Sequence, residues 1–379
     1  MSSPRSGPDR CPGALQVHVA ADGPLARVRL PGGTITSTQL QTLADAAHQL
    51  GNGEIELTSR GNLQLRAVTD PGEFARRITA AGLLPSATHE RVRNILASPL
   101  SGRIGGHVDV RPLTAVLDER LCADPTLAAL PGRVLFTLDD GRGDITGLRG
   151  DTGIHALPDG RLALILAGTD TGARLTADTA VDTLLAAARV FGEIRGDAWR
   201  LHEIPDGTET VLARLGLDAA DPIALPDAAE NGPIGWLDQP DGRVTLAAGL
   251  AFGTLPARLA EFLAAVEMPL VITPWRSILL PDLAEGTAEQ VVRVLAPMGL
   301  IFDENSPHLQ VTACAGRPGC AKALADVRAD ARAAIAAGDI PAGARQHWSG
   351  CDRTCGRPRG EITDVVAGPD GYRVQKPSS

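Results

Sequence analysis

Four thiols mark the stretch of this chain best equipped for chemistry. Cys314 and Cys320 bracket the loop Ala-Gly-Arg-Pro-Gly, and about thirty residues on Cys351 and Cys355 bracket Asp-Arg-Thr. Only Cys11 and Cys122 lie elsewhere. Thiols paired this way, with no secretory signal in view, read as metal ligands rather than disulfides. One chemistry is a cubane iron–sulfur cluster. It needs four thiolates converging on one point, and Gly316, Gly319, Gly350 and Gly356 let the backbone turn closely around the sulfides. The other is zinc, whose ligand pairs stand roughly two to four residues apart, a spacing that suits Cys351 and Cys355 but is loose for Cys314 and Cys320. Cys122 follows an apolar helical pattern and reads as core; Cys11 receives no assignment.

A second set of residues is basic. Arg60, Asn62, Gln64 and Arg66 share parity, so an extended backbone would turn all four to one side of a sheet. Arg91 and Arg93 flank another loop, and Arg133 stands in Leu-Pro-Gly-Arg-Val-Leu. Arginine pairs with carboxylates through two parallel bonds, so arginines spread over rigid strands can read the edge of a large polyacid. The plain alternative is a solvated polar face.

The elements that must carry these groups follow from periodicity. Residues 17–20 and 27–30 alternate as half-buried strands around the turn Asp22-Gly23. Thr36 or Ser37 can cap a helix over 39–50 that buries Leu40, Leu43, Ala47 and Leu50 and stops at Gly51. Strands at 55–57 and 63–66 flank Thr58-Ser59-Arg60-Gly61-Asn62, and a helix over 71–81 ends at Gly82. That order makes a small α+β unit with its helices on one face. Further on, a helix over 112–121, a strand pair at 134–138 and 162–166, and a capped helix over 177–191 are expected, and residues 362–366 and 372–374 read as a closing hairpin.

The chain then repeats itself. Arg243-Val244-Thr245-Leu246 echoes Arg27-Val28-Arg29-Leu30, a helix over 255–266 echoes 39–50, and Val28 precedes Arg60 by the same 32 residues that separate Val244 from Arg276. A period of about 216 residues is too long for a solenoid. It reads as two α+β halves paired about a pseudo-two-fold, with Arg276 the counterpart of Arg60. Carried onward, the offset sets Ser98 opposite Cys314. The expected organisation is a disordered tail over 1–14, a ferredoxin-like half over 15–85, a middle domain over 86–225, a second half over 226–303 and a cluster domain over 304–379. Asp218 to Asn231, rich in Ala, Asp and Pro, supplies the linker.

Composition sets limits. With 379 residues, 44% hydrophobic but only 3% aromatic, the cores must be filled by Ala, Val, Leu and Ile. A net charge of −9 and a pI near 5.4 argue against a nucleic-acid or anionic-membrane partner, although a local basic pocket can still focus an anion. No apolar run reaches membrane-spanning length, and the expected location is cytoplasmic. No dinucleotide fingerprint appears, since Gly102-Arg103-Ile104-Gly105-Gly106 has the wrong spacing.

Together the two cysteine pairs, the Leu-Thr-Ser-Arg-Gly-Asn-Leu-Gln-Leu stretch over 57–65, Arg93-Asn94-Ile95 and the duplicated half resemble the nitrite and sulfite reductase family, which carries siroheme beside a 4Fe-4S cluster. His347-Trp348-Ser349-Gly350-Cys351 and Cys11-Pro12-Gly13 resemble its precorrin-3B synthase branch. The resemblance implies an α+β fold of paired ferredoxin-like halves plus two further domains, with Cys314, Cys320, Cys351 and Cys355 ligating the cluster. It implies a tetrapyrrole gripped by Arg60, Asn62, Gln64, Arg66, Arg93 and Arg133, electrons from a separate reductase or ferredoxin, and a non-haem iron to which His347 is a candidate ligand or, failing that, a substrate contact. Arg133 stands where the family has a first lysine, and Leu135 where it has a second. Losing a cationic donor weakens the case for anion reduction. It favours an enzyme whose tetrapyrrole is the substrate: a monooxygenase of cobalamin biosynthesis acting on precorrin-3A. The alternatives are a siroheme-dependent reductase and a non-catalytic electron-transfer or assembly protein that uses the cluster alone.

Overall fold

The computed structural model describes residues 11–376 apart from 228 and 342. They pack as two units. One consists of Leu84–Ala229 with Val28–Gly32 and the segment before Val19; the other consists of Val19–Arg27, Gly33–Leu83 and Glu230–Ser379. Both halves of the repeat and the cysteine loops thus belong to one unit, and the middle segment forms the other.

In the unit that carries the cysteines, each half builds a sheet. The first runs His18–Ala20, Gly23–Val28, Leu63–Leu65, Glu54–Leu57 and Thr254–Pro256 in spatial order; the second runs Gly235–Asp238, Val244–Ala248, Ile278–Leu283, Leu270–Ile272 and Thr34–Ile35. The last strand of each list comes from the other half. Thr254 pairs with Glu56, and Leu270 with Ile35, both antiparallel. This reciprocal exchange ties the halves together. The helices that follow the exchanged strands, Ser37–Leu50 and Ala257–Ala264, lie against each other. Ser37–Leu50 begins where its capping box dictates: Thr36 Oγ1 accepts the Gln39 N–H at 3.2 Å and Gln39 Oε1 accepts the Thr36 N–H at 3.1 Å. Its buried face is Leu40, Leu43, Ala44 and Ala47. Pro71–Ala80 starts likewise at Asp70, which accepts the Glu73 N–H.

The C-terminal part of this unit is a four-stranded sheet, Val311–Ala313, Gln346–Ser349, Thr363–Gly368 and Gly371–Gln375, the first three parallel and the last an antiparallel hairpin partner. The other unit holds the same arrangement. Ile95–Ala97, Phe136–Asp139 and Thr152–Ala156 run parallel, and Leu162–Leu166 returns antiparallel, with Thr169–Leu175 added outside. The helices Arg111–Ala123 and Val327–Ala337 follow the first strands at the same 216-residue offset. The duplication therefore extends beyond the ferredoxin-like halves to the sheet that bears the cysteines.

Three expectations change. The strands over 134–138 and 162–166 share a sheet but are not neighbours: Thr152–Ala156 lies between them. Its Gly153 and His155 interrupt the apolar run that marks a buried strand, yet Gly153 is required, because a Cβ there would stand 2.4 Å from the Thr137 carbonyl oxygen. Secondly, residues 60–66 do not stay extended. Thr58 to Asn62 form a tight turn closed by Thr58 N–H to Asn62 O at 2.9 Å, with Gly61 at φ 61°, so the shared parity of Arg60 and Arg66 is lost. Thirdly, of the segment expected to fray, residues 1–10 fall outside the described residues, whereas Ala14 is buried. The N–H groups of Ala14, Leu15 and Gln16 are donated to the Glu90 carboxylate at 2.7–2.9 Å.

Candidate iron–sulfur centre

The two cysteine loops leave adjacent parallel strands. Cys314 follows Val311–Ala313 and Cys351 lies just beyond Gln346–Ser349, so the register that sets Ala313 beside Trp348 also brings the loops together. The Cys314 N–H is donated to the Trp348 carbonyl at 3.0 Å, and the Gly350 N–H is donated to the Cys314 sulfur at 3.3 Å. Gly350 has no alternative: a Cβ would stand 2.6 Å from that of Ala323. Within the first loop the Cys320 N–H closes a turn on the Gly316 carbonyl at 2.8 Å. Cys314, Cys320 and Cys351 are half-buried and Cys355 is exposed. The Cys355 thiol is pushed up by burial and by Cys314, Cys351 and Cys320, with Arg353 opposing, so the other three thiols lie near enough to act on it.

The spacing bears on the metal. A tetrahedral zinc with Zn–S near 2.3 Å holds its sulfurs about 3.8 Å apart. Among the described residues, no three of these thiols gather mutually within 4.8 Å. That spread is compatible with a four-iron cluster, whose thiolates stand on separate irons.

Two arginines reach the first loop. Arg66 donates through Nη2 to the Gly319 carbonyl at 2.6 Å and is held from behind by Asp22 through Nε and Nη2 at 2.8 and 2.9 Å. Arg328, on Val327–Ala337, donates through Nε to the Cys314 carbonyl at 3.2 Å and pairs with Glu56 at 2.7 Å. Gln64 joins this network: its amide N–H is donated to Glu56 at 2.6 Å and its carbonyl accepts from Arg27. Burial raises the Glu56 pKa, but Arg328, Gln64 and Arg66 outweigh it and hold the carboxyl below its usual range. Gln64 and Arg66, expected on a tetrapyrrole, thus have partners beneath the cysteine loop.

The remaining basic residues occupy different settings. Arg60 sits half-buried in the 58–62 turn, its N–H on Thr58 Oγ1 at 3.3 Å, and Asn62 is buried beside it. In the other unit, Arg93 is buried and forms a forked pair with Asp118, both bonds 2.7 Å. Arg133 is exposed and stacks on the Trp199 ring, 4.8 Å from its centroid. Leu135 is buried, its N–H donated to Asp151. The Cys122 thiol is pushed up to about 11 by burial and by Asp118, as suits a packing role.

His347 is fully buried on the strand that ends at the second loop. Its Nδ1 bonds Thr312 Oγ1 at 2.9 Å, and burial, reinforced by Arg276, lowers its pKa to about 4. Its Nε2 is buried without a hydrogen-bond partner, and among the described residues no group of three metal-ligating side chains includes it.

Sequence reading missed one constellation. At the place matching Cys314, Ser98 donates to Asp144 at 2.6 Å and accepts the Asp140 N–H, while Asp139 collects the N–H groups of Gly141, Gly143, Ile145 and Thr146. The half without the two cysteine pairs fills that place with hydrogen-bonded carboxylates. The only cue was the density of Asp and Gly over 139–144.

Known proteins sharpen the picture. Residues 18–71 match the nitrite/sulfite reductase ferredoxin-like half domain. A precorrin-3B synthase from Sinorhizobium sp is 28% identical over 96% of this chain and 81% of its own length. A ferredoxin–nitrite reductase from Synechococcus elongatus is 25% identical over 93% of this chain and 77% of its own. The Mycobacterium tuberculosis NirA structure superposes with a TM-score of 0.74, covering 93% of this chain and 74% of that one at 17% identity, a likeness of fold. No helix among the described residues is long and apolar enough to cross a membrane. Residues 18–71 thus carry a nitrite/sulfite reductase ferredoxin-like half domain, and over nearly its whole length the chain is similar to a precorrin-3B synthase and a ferredoxin–nitrite reductase.

Proposed function

We propose that this chain is a precorrin-3B synthase-like monooxygenase. In this reading one atom of O2 enters a meso position of precorrin-3A, a side-chain acetate closes to a lactone, and the second oxygen leaves as water with two electrons and two protons. The observation that carries the proposal is the convergence of Cys314, Cys320, Cys351 and Cys355 in a relative of precorrin-3B synthase that aligns over nearly the whole chain. When bound there, a 4Fe-4S cluster supplies single-electron transfer. The electrons come from a ferredoxin or a dedicated reductase, and the exposed position of Cys355 suits such an exchange.

The chain's own side chains then bind and orient the acidic macrocycle. Arg60, with Asn62 beside it in the turn, is the first candidate for carboxylate pairing, and Arg133 the second. Arg93 holds Asp118 beside the strand that matches the cysteine-bearing one, and in this reading it meets substrate only by sharing its guanidinium with that carboxylate. Gln64 and Arg66 act on the cluster loop.

A siroheme-dependent reductase is the second reading, favoured by the nitrite reductase among the relatives. Anaerobic purification separates the two. The first predicts a cluster spectrum without siroheme bands and O2-dependent conversion of precorrin-3A. A siroheme Soret and charge-transfer band with nitrite or sulfite turnover would sink it, and a cluster protein that binds no tetrapyrrole would leave only an electron-transfer role.

A further inference from the structure

We propose that Arg66 and Arg328 are positioning residues for the iron–sulfur centre, each fixing one end of the 314–320 loop through a charged hydrogen bond to a backbone carbonyl. The inference rests on the cluster reading above and assigns to it residues that ligate nothing themselves.

Three observations carry it. The bonds land on the carbonyl of Cys314 itself and on that of Gly319, the residue before Cys320, so both thiolate-bearing segments of the loop are held. Each arginine is backed by a carboxylate, Arg66 by Asp22 through two hydrogen bonds and Arg328 by Glu56 through a close ion pair. The Arg66 side chain is 9% exposed and that of Arg328 16%, so water competes weakly for either bond. One anchor comes from distant sequence, Arg66 lying 253 residues before Gly319, and the other from the helix just after the loop, Arg328 lying 14 residues beyond Cys314. The loop has few internal restraints of its own, chiefly the Cys320–Gly316 turn and the bonds of Arg317 to Ala325 and Ala323. The arginines add to the bonds that Cys314 makes with Trp348 and Gly350, and they are the side chains that hold the loop's carbonyls at its two thiolate-bearing ends.

The arrangement has two effects. It preorganises the thiolates, reducing the ordering cost of cluster capture. It also places two guanidinium charges beside a centre whose thiolates and sulfides are negative, which favours the more negative, reduced state.

The test uses the full chain reconstituted with iron and sulfide under anaerobic conditions. Wild type, Arg66→Gln, Arg328→Gln and Arg66→Lys are compared by iron and sulfide content, rate of cluster loss to a ferrous chelator, midpoint potential, and denaturation of the cluster-free chain. The Gln variants should lose the cluster roughly 10- to 100-fold faster. Their reduction equilibrium should move at least tenfold toward the oxidised state, about 59 mV for one electron. Arg66→Lys should restore the potential but not the retention, because an ammonium keeps the charge and loses the fork. Should Arg66→Gln fail to fold, Gly319→Ala tests the same bond, since its Cβ would lie 2.9 Å from Arg66 Nη2. Wild-type retention and potential in the variants overturn the proposal, as does cluster loss that merely tracks a matching fall in cluster-free stability. A wild-type chain that captures no cluster sinks the cluster reading, and this proposal with it.

Discussion

Arg276 occupies the place in the second half that Gly61 holds in the first. Both close the same turn, Gly61 N–H on Thr58 O and Arg276 N–H on Thr273 O, each at 3.1 Å, and both have φ 61°. Trp275, not Arg276, is therefore the structural counterpart of Arg60, and the equal 32-residue spacing conceals a one-residue slip. A side chain in the left-handed region costs roughly 1–2 kcal/mol, while glycine's greater unfolded-state freedom returns roughly 0.5–1 of that. Burial also pulls the Arg276 guanidinium below its usual pKa, a sign of incomplete compensation by Glu56. Arg276→Gly is thus expected to stabilise the cluster-free chain by about 1 kcal/mol. A rise in the denaturant midpoint with unchanged slope would show it; a fall would mean that the side chain holds the turn.

The strand exchange rests on close backbone contact. Gly33 has φ 73°, and a Cβ there would lie 2.0 Å from the Ile272 carbonyl oxygen, beside the pairing of Thr34–Ile35 with Leu270–Ile272. Gly33→Ala should displace the exchanged strand and cost about 3 kcal/mol or more. Limited proteolysis near residue 34 together with a lowered denaturant midpoint checks it, and a wild-type midpoint would show that the exchange is soft.

How much of this was legible before the fold depended on range. Cysteine pairs reveal themselves locally, because ligands of one centre recur at short spacing, and Ser37–Leu50 and Pro71–Ala80 announce themselves by cap and period. The exchanged strand Thr34–Ile35 is two residues long, too short for any period to mark. Arg66 and Gly319 meet only after the fold joins distant segments, so the sequence places Arg66 with the tetrapyrrole candidates rather than on the cysteine loop. The slip at Arg276 arose because an arginine happens to sit one position beyond the true counterpart of Arg60. Residue identity misled there, and only hydrogen-bond register corrects it.

Asp144 gives the chain a pH dependence of definite sign. Burial, with Asp139 and Asp140, pushes its carboxyl up to about 7, against the lowering effects of Ser98 and Arg142. The folded chain therefore holds a proton between about pH 4 and 7 that the unfolded chain releases. Stability supplied by this group is complete below the unfolded pKa and is lost as pH rises through 7. Asp144→Asn keeps an oxygen for the Ser98 hydroxyl and removes the charge. It should match wild type near pH 4 and exceed it by on the order of 2 kcal/mol at pH 8. Denaturation at several pH values settles the matter, and a pH-independent difference would mean that Asp144 stays ionised.

Arg60 and Arg93 should separate cleanly on substitution. Arg93 is buried against Asp118, so Arg93→Ala leaves a mostly buried carboxylate unpaired and should cost about 2–4 kcal/mol of stability before any ligand is added. Arg60 lies half-buried in a turn whose backbone bonds come from Thr58, Gly61 and Asn62, so Arg60→Ala should leave the fold and the cluster spectrum intact. If Arg60 pairs a macrocycle carboxylate, losing one charged hydrogen bond of about 1.5–3 kcal/mol weakens tetrapyrrole binding by roughly 10- to 150-fold. Denaturation of both variants, with titration of a polycarboxylate tetrapyrrole followed by absorbance, measures the two effects separately. Unchanged tetrapyrrole affinity in Arg60→Ala, with the cluster intact, would remove Arg60 from the binding site and leave Arg133 the remaining candidate outside the loop network.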